Sequence, residues 1–266
     1  MTSNRTGAVF LGAVISTLFV MPARADKVTE CTDESFCYCV ESDLRDTVAA
    51  RVEEIRTLVR AQRNQGKAVG YLSIPLSSLE GSVFGVNVKV AAEVKELVEE
   101  RFGPRFAWML NPGASAFELP KGATGADYML MWTRVLQGQD GLGADIDFFY
   151  FVGPSDFARH FGLDAKGDME KLDAYYDGLA KTDPALSATV DKVKFRNYYA
   201  LRASTAFSYG AHDEWNIARS INEKRRGKNA KSGIGQQLGI FFDGRGVAPA
   251  LFDSAVSAGS SGVCPQ

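Results

Sequence analysis

Three observations on the sequence predict an α/β fold of three layers, with a mostly parallel sheet, an N-terminal helix ahead of it and a helical insertion within it. Short apolar runs at 67–76, 106–110 and 146–152 each stop at a Pro- or Gly-containing loop, as buried strands do. Helical patterns separate these runs, and that alternation predicts parallel pairing with functional loops at the carboxyl ends of the strands. After Ser155 the alternation stops, and helical spacing continues alone to about Phe207.

The first 25 of the 266 residues read as a leader rather than as part of the fold. Arg5 precedes an apolar run from Ala8 to Met21, and Ala23-Arg24-Ala25 has the small-x-small form of a secretory cleavage site. Cleavage after Ala25 would deliver the chain to the periplasm or the medium. No Cys follows the cut to carry a lipid, and no later run reaches the roughly 18 apolar residues of a membrane span. Removing the leader takes away two basic residues and no acid, moving the net charge from -2 to -4. A nucleic-acid footprint would show a basic excess, so that class of partner is excluded. The remaining residues, 45% of the whole chain being apolar, suffice for one large core with an appendage.

Residues 26–66 hold a cysteine cluster and then a helix. Cys31, Cys37, Cys39 and Cys264 would all meet an oxidising compartment, so disulfides are the first reading. Cys37 and Cys39 are too close to favour each other, and a link from Cys264 to the cluster would tie the two ends together. Cys-x5-Cys-x-Cys without a nearby His is a poor zinc pattern, and no metal is expected. From Glu41 to Gln65, Leu44, Val48, Val52, Ile55 and Val59 recur at three and four residues, predicting one amphipathic helix.

The layered domain is expected over 67–250. Its first strand, 67–76, ends at Pro75 and two serines, and a helix is expected from Asn87 to Phe102 on the face of Val90, Val94, Leu97 and Val98. The second strand, 106–110, ends at Asn111-Pro112-Gly113, and a loop of small residues leads to a helix over 127–137. The third strand, 146–152, is followed by helices read at 157–161, 169–179 and 190–207, the insertion of about 155–207. Tyr175, Tyr176, Tyr198 and Tyr199 within it suit either packing or a stacking pocket. A last strand is expected over 236–242, and 251–266 reads as a tail with little structural signal.

One carboxylate stands where a carboxylate is costly. If Gly210 opens a helix, Ala211, Glu214, Ala218 and Ile221 form a single core-facing stripe, and an acid there must be paired, neutralised or facing a cavity. Asp213 and Glu214 also suit a first helical turn, where carboxylates complement the dipole, with Ser208 or Gly210 near the cap. The basic knot Lys224, Arg225, Arg226, Lys228 and Lys231 reads either as a solvated helix end or as an anion contact. His160 and His212, the two histidines, have no partner visible in sequence.

Four separated pieces resemble the nucleoside 2-deoxyribosyltransferase-like Rossmannoid family. They are Tyr71-Leu-Ser-Ile-Pro-Leu-Ser77, Leu110-Asn111-Pro112, Asp127 with the later Asp147-Phe-Phe-Tyr-Phe, and Ser208-Tyr-Gly-Ala-His-Asp-Glu214-Trp-Asn-Ile-Ala218. The resemblance spans 67–245 outside the insertion, with the pieces in the family's order. It implies that Glu214 is a nucleophile attacking the sugar C1' of a nucleoside or nucleotide-like substrate. It further implies Asp127 as the group orienting the sugar or managing a proton, and Tyr71 as a hydrogen-bond donor near Glu214. Ser73, Ser77, Asn111, Ser208 and Gly210 would contact the substrate at the same edge. No cofactor is implied, and a homo-oligomer is, since members often complete their sites across an interface. The chain departs from the family at Ser208, where many members place an acid, in its helical insertion, and in carrying an export signal. A non-catalytic ligand-binding or interaction module on the same scaffold is the competing expectation.

Overall fold

The computed structural model describes residues 26–76, 79–228, 236–257 and 261–265. The expected leader, 1–25, lies outside the described residues, as do Ser77 and Lys231.

The described chain opens with a feature absent from the sequence reading, an antiparallel hairpin of β1 (Lys27–Cys31) and β2 (Cys37–Glu41). Alternation buries Tyr38 and Val40 on one side of it. After a 3-10 turn at Ser42–Leu44, α1 (Arg45–Asn64) presents Val48, Val52, Ile55 and Val59 to the core. The expected stripe is present, except that Leu44 belongs to the turn.

A five-stranded sheet has the order β4-β3-β5-β6-β7, built from β3 (Ala68–Ser73), β4 (Ala107–Leu110), β5 (Phe148–Phe151), β6 (Gly239–Phe242) and β7 (Arg245–Gly246). The first four are mutually parallel and β7 is antiparallel to β6. Gly70 lies where β3 is tightly enclosed, since a Cβ there would stand 2.4 Å from the Met109 sulfur and the Phe148 ring.

One face of the sheet is covered by α1, α3 (Gly125–Gln137) and α8 (Tyr209–Lys228), in a core that includes Tyr71, Trp132, Phe149, Phe151 and Ile217. The other is covered by α2 (Phe84–Phe102) and by the insertion helices α4 (Pro154–Phe161), α5 (Asp168–Thr182), α6 (Leu186–Thr189) and α7 (Lys192–Ala200), around Leu72, Val90, Phe157 and Phe195. Helices on both faces of a mostly parallel sheet make the three-layer α/β architecture.

Two element expectations need correction. Helix α2 begins at Phe84, because Asn87 is a buried pin rather than a cap: its Nδ2 donates to Pro75 O at 2.8 Å and its Oδ1 accepts from Tyr199 Oη at 2.8 Å. The helix expected over 190–207 is α7 alone, because Asp191 caps it at one end and Arg202 takes a left-handed φ of 56° just beyond the other. A separate 3-10 turn at Thr205–Phe207 follows.

The tail is also more structured than its sequence suggests. After α9 (Pro249–Phe252), the ring of Phe252 packs on Trp215 at 4.9 Å, and Trp215 donates to Ser254 O. Asn216 exchanges two hydrogen bonds with the backbone of Val256, and Ser261 donates to Asp213. The disulfides are Cys31–Cys37 and Cys39–Cys264, the second joining the tail to the opening hairpin. All four cysteines are therefore engaged, in keeping with an oxidising compartment, and none is a metal ligand. No helix among the described residues is long and apolar enough to cross a membrane.

Candidate functional site

The carboxyl ends of β3 and β4 open onto a cavity of about 440 Å³. The chain leaving β3 contributes Ile74 and Leu76, and that leaving β4 contributes Pro112, Gly113 and Ala114. Helix α3 adds Tyr128, Met129 and Trp132, while the start of α8 adds Ser208, Tyr209, Gly210, Ala211 and Glu214. Phe84 and Tyr209, each 59% exposed, stand at the opening as uncovered aromatic rings. An apolar cleft with a few convergent polar groups at strand ends is the usual form of a small-molecule site in such folds.

Glu214 supplies the charge. Its helix turns the predicted stripe inward, so that Ala211, Ala218 and Ile221 are buried beside it and Glu214 itself is 5% exposed. Tyr71 Oη donates to its Oε1 at 2.5 Å, and Ser73 Oγ donates to its Oε2 at 2.5 Å. Tyr71 and Ser73 are fully buried, do not line the cavity, and hold the carboxyl from behind. Burial pushes the Glu214 carboxyl up from 4.5 to about 7, the two hydroxyl donors pull it down, and the neighbouring charge of Asp213 adds to the rise. Burial together with the Glu214 charge also holds the Tyr71 phenol well above its ordinary value, so that it remains a donor. A carboxyl that exchanges its proton near neutrality, at the wall of a mostly apolar cavity, suits nucleophilic or acid–base work.

The other predicted site residues divide. Ser208 and Gly210 line the cavity, and Ser208 Oγ also accepts from Ala211 N at 3.3 Å, helping to start α8. Asn111 is buried beside the cavity without lining it, and its Oδ1 is turned back to accept from Gly113 N at 2.9 Å. Asp127 does not reach the cavity. Its Oδ2 accepts from Thr124 N at 2.7 Å and Thr124 Oγ1 at 2.6 Å, its Oδ1 accepts from Glu41 N at 3.0 Å, and the side chain is fully buried. The expected proton-managing role is therefore replaced by a structural one: Asp127 completes the capping box of α3 and ties it to the end of β2.

Among the described residues, neither the insertion nor the basic knot contributes to the cavity. None of its lining residues falls within 155–207, and Tyr175, Tyr176, Tyr198 and Tyr199 pack in the second core instead. Arg225 donates to the carbonyls of Leu142, Gly143, Ile146 and Gln236, which organises a loop rather than binding an anion. Lys224 pairs with Glu34, and Arg226 pairs with Asp253 at 3.0 Å. His160 bridges Glu93 and Tyr175, and His212 meets Ser257.

The sequence reading passed over Glu118, which lines the cavity from the loop between β4 and α3. Its signal was present: Phe117 and Leu119, both buried, are the bulky apolar residues of a loop that is otherwise small or polar apart from Pro120, and Glu118 lies between them. No protein-family model, curated protein or solved structure matches the chain.

Proposed function

We propose that the cavity is the active centre of an exported enzyme that cleaves or transfers the N-glycosidic bond of a nucleoside or nucleotide-like substrate, with Glu214 as nucleophile. Cleavage builds positive charge at the anomeric carbon, and a carboxylate held against it can form a glycosyl ester or shield the cation. The observation that carries this reading is the anchoring of Glu214 at the cavity wall, one oxygen to Tyr71 and the other to Ser73. With the carboxyl titrating at about 7, a large fraction is ionised at neutral pH. Trp132, Tyr128 and the exposed Phe84 and Tyr209 offer faces against which a planar base stacks. The leader ending at Ala25 and the two disulfides support export.

The test is incubation of the purified chain from Asp26 with a panel of nucleosides and nucleotides, with released base followed by chromatography. Glu214→Ala is expected to lower release by about 10⁴-fold or more, and a 2-fluoro sugar analogue is expected to leave its glycosyl mass on Glu214. No release from any substrate would remove the enzyme reading.

One observation favours a second reading, a ligand-binding module without catalysis: Asp127, the acid expected to work beside Glu214, is spent on capping α3. That reading predicts ligand affinity that survives Glu214→Gln and no turnover.

A further inference from the structure

We propose that Glu118 is the proton donor to the departing base, an assignment that rests on the N-glycoside reading above. Breaking the bond from C1' to a neutral base leaves an anion on the base unless a proton arrives as the electrons do. A nucleophile below the sugar therefore needs an acid on the base side, and Glu214 cannot serve as both in one step. Among the described residues that line the cavity, Glu214 and Glu118 are the two that carry a carboxyl group, and none is His, Lys, Arg or Cys. Asp127 is removed from consideration by the three donors that occupy its oxygens.

The loop fixes Glu118 in place while leaving its carboxyl uncommitted. Phe117 and Leu119 on either side are buried, and Leu119 N donates to Tyr128 Oη at 2.9 Å. Arg51 donates to the carbonyls of Ala116 and Glu118, at 3.2 and 3.4 Å. The backbone is thus held at Ala116, Glu118 and Leu119. The Glu118 side chain is exposed, and among the described residues its carboxyl makes no hydrogen bond or ion pair. A structural role would show itself as a partner; what remains is a positioned acid at a cavity wall.

The step balances. A lone pair of the ionised Glu214 forms the bond to C1', the C1'–N electron pair passes to the base, and the Glu118 proton moves to a ring nitrogen of that base. The base leaves neutral, Glu118 becomes a carboxylate, and Glu214 carries the glycosyl ester. In the second step the Glu118 carboxylate takes a proton from the attacking water, the water oxygen bonds to C1', and Glu214 is released as a carboxylate.

A leaving group that is already cationic needs no proton, which separates this role from binding. The wild type, Glu118→Gln and Glu118→Ala are compared on inosine and on 7-methylguanosine, whose base carries a positive charge. Glu118→Gln is expected to lower kcat/KM by about 10²- to 10⁴-fold with inosine and by less than about tenfold with 7-methylguanosine. Added formate is expected to restore part of the inosine reaction in Glu118→Ala, a result that folding damage does not give. Equal losses on the two substrates, or no loss on inosine, would overturn the assignment to Glu118 while leaving the nucleophile in place. No base release by the wild type from either substrate would overturn both.

Discussion

Replacing Glu214 by Gln converts the geometry of the cavity wall into a measurable change in stability. In the folded chain the carboxyl titrates at about 7, against an ordinary 4.5. Below 4.5 it is protonated in folded and unfolded chains alike and contributes no difference. Between 4.5 and about 7 the unfolded chain gives up this proton while the folded chain keeps it, so the folded state binds more protons and its stability falls as pH rises. Above about 7 the fall is complete. Each tenfold change in the ionisation constant is worth about 1.4 kcal/mol, so the whole fall is about 3 kcal/mol. Glutamine cannot titrate, yet its amide still reaches Tyr71 and Ser73, whose hydroxyls both donate and accept. Urea unfolding with the disulfides intact, from pH 4 to 8.5, isolates the difference, because every other titrating group is common to both proteins. The gap between variant and wild type should move by about 3 kcal/mol in the variant's favour across that window. Stability curves that run parallel at every pH would mean that Glu214 is neither desolvated nor held as described.

Two further outcomes follow from other parts of the molecule. Asp127→Ala removes the cap of α3 and the acceptor for Glu41 N, and should lower stability at pH 7 by about 1–3 kcal/mol in urea unfolding; a loss below about 0.5 kcal/mol would return Asp127 to the list of chemical groups. Serine at both Cys39 and Cys264 opens the longer disulfide loop, for which chain entropy sets a limit of roughly 5 kcal/mol. Because the tail packs on Trp215, thermal unfolding should come earlier in that variant and its tryptophan emission should shift to the red.

The parts of this molecule governed by periodicity were legible in the sequence. The Val48–Val59 stripe and the apolar strands follow from spacing along one element, whereas for Glu214 spacing allowed both an inward acid and a first-turn acid and the family resemblance favoured the inward one. Tyr71 was named from the family resemblance as a donor near Glu214 and bonds to it, whereas Ser73 was named as a substrate contact and is instead a second donor to Glu214, off the cavity wall. What was missed depends on single residues whose neighbours come from distant parts of the chain. Thr124-x-x-Asp127 is itself a capping-box signature, so the structural use of Asp127 was readable, yet its bond to Glu41 N crosses 86 residues. The end of α7 depends on a left-handed arginine, a conformation that composition does not announce. The order of the tail comes from its packing on Trp215 and Asn216, and of that only Cys264 left a mark in the sequence.

Tyr71 and Ser73 are two residues apart on β3 and so project to the same side, whereas Gly70 and Leu72 project to the other. The carboxyl of Glu214 is thereby tuned by the phase of a strand. A slip of β3 by one position against Leu110 and Phe149 would present glycine and leucine to Glu214, strip it of both hydroxyls and leave an uncompensated acid inside the molecule. Substitutions deep in the sheet, far from any ligand, can therefore silence this acid without touching it, and a screen for loss of activity should find them along β4 and β5 as readily as at the cavity.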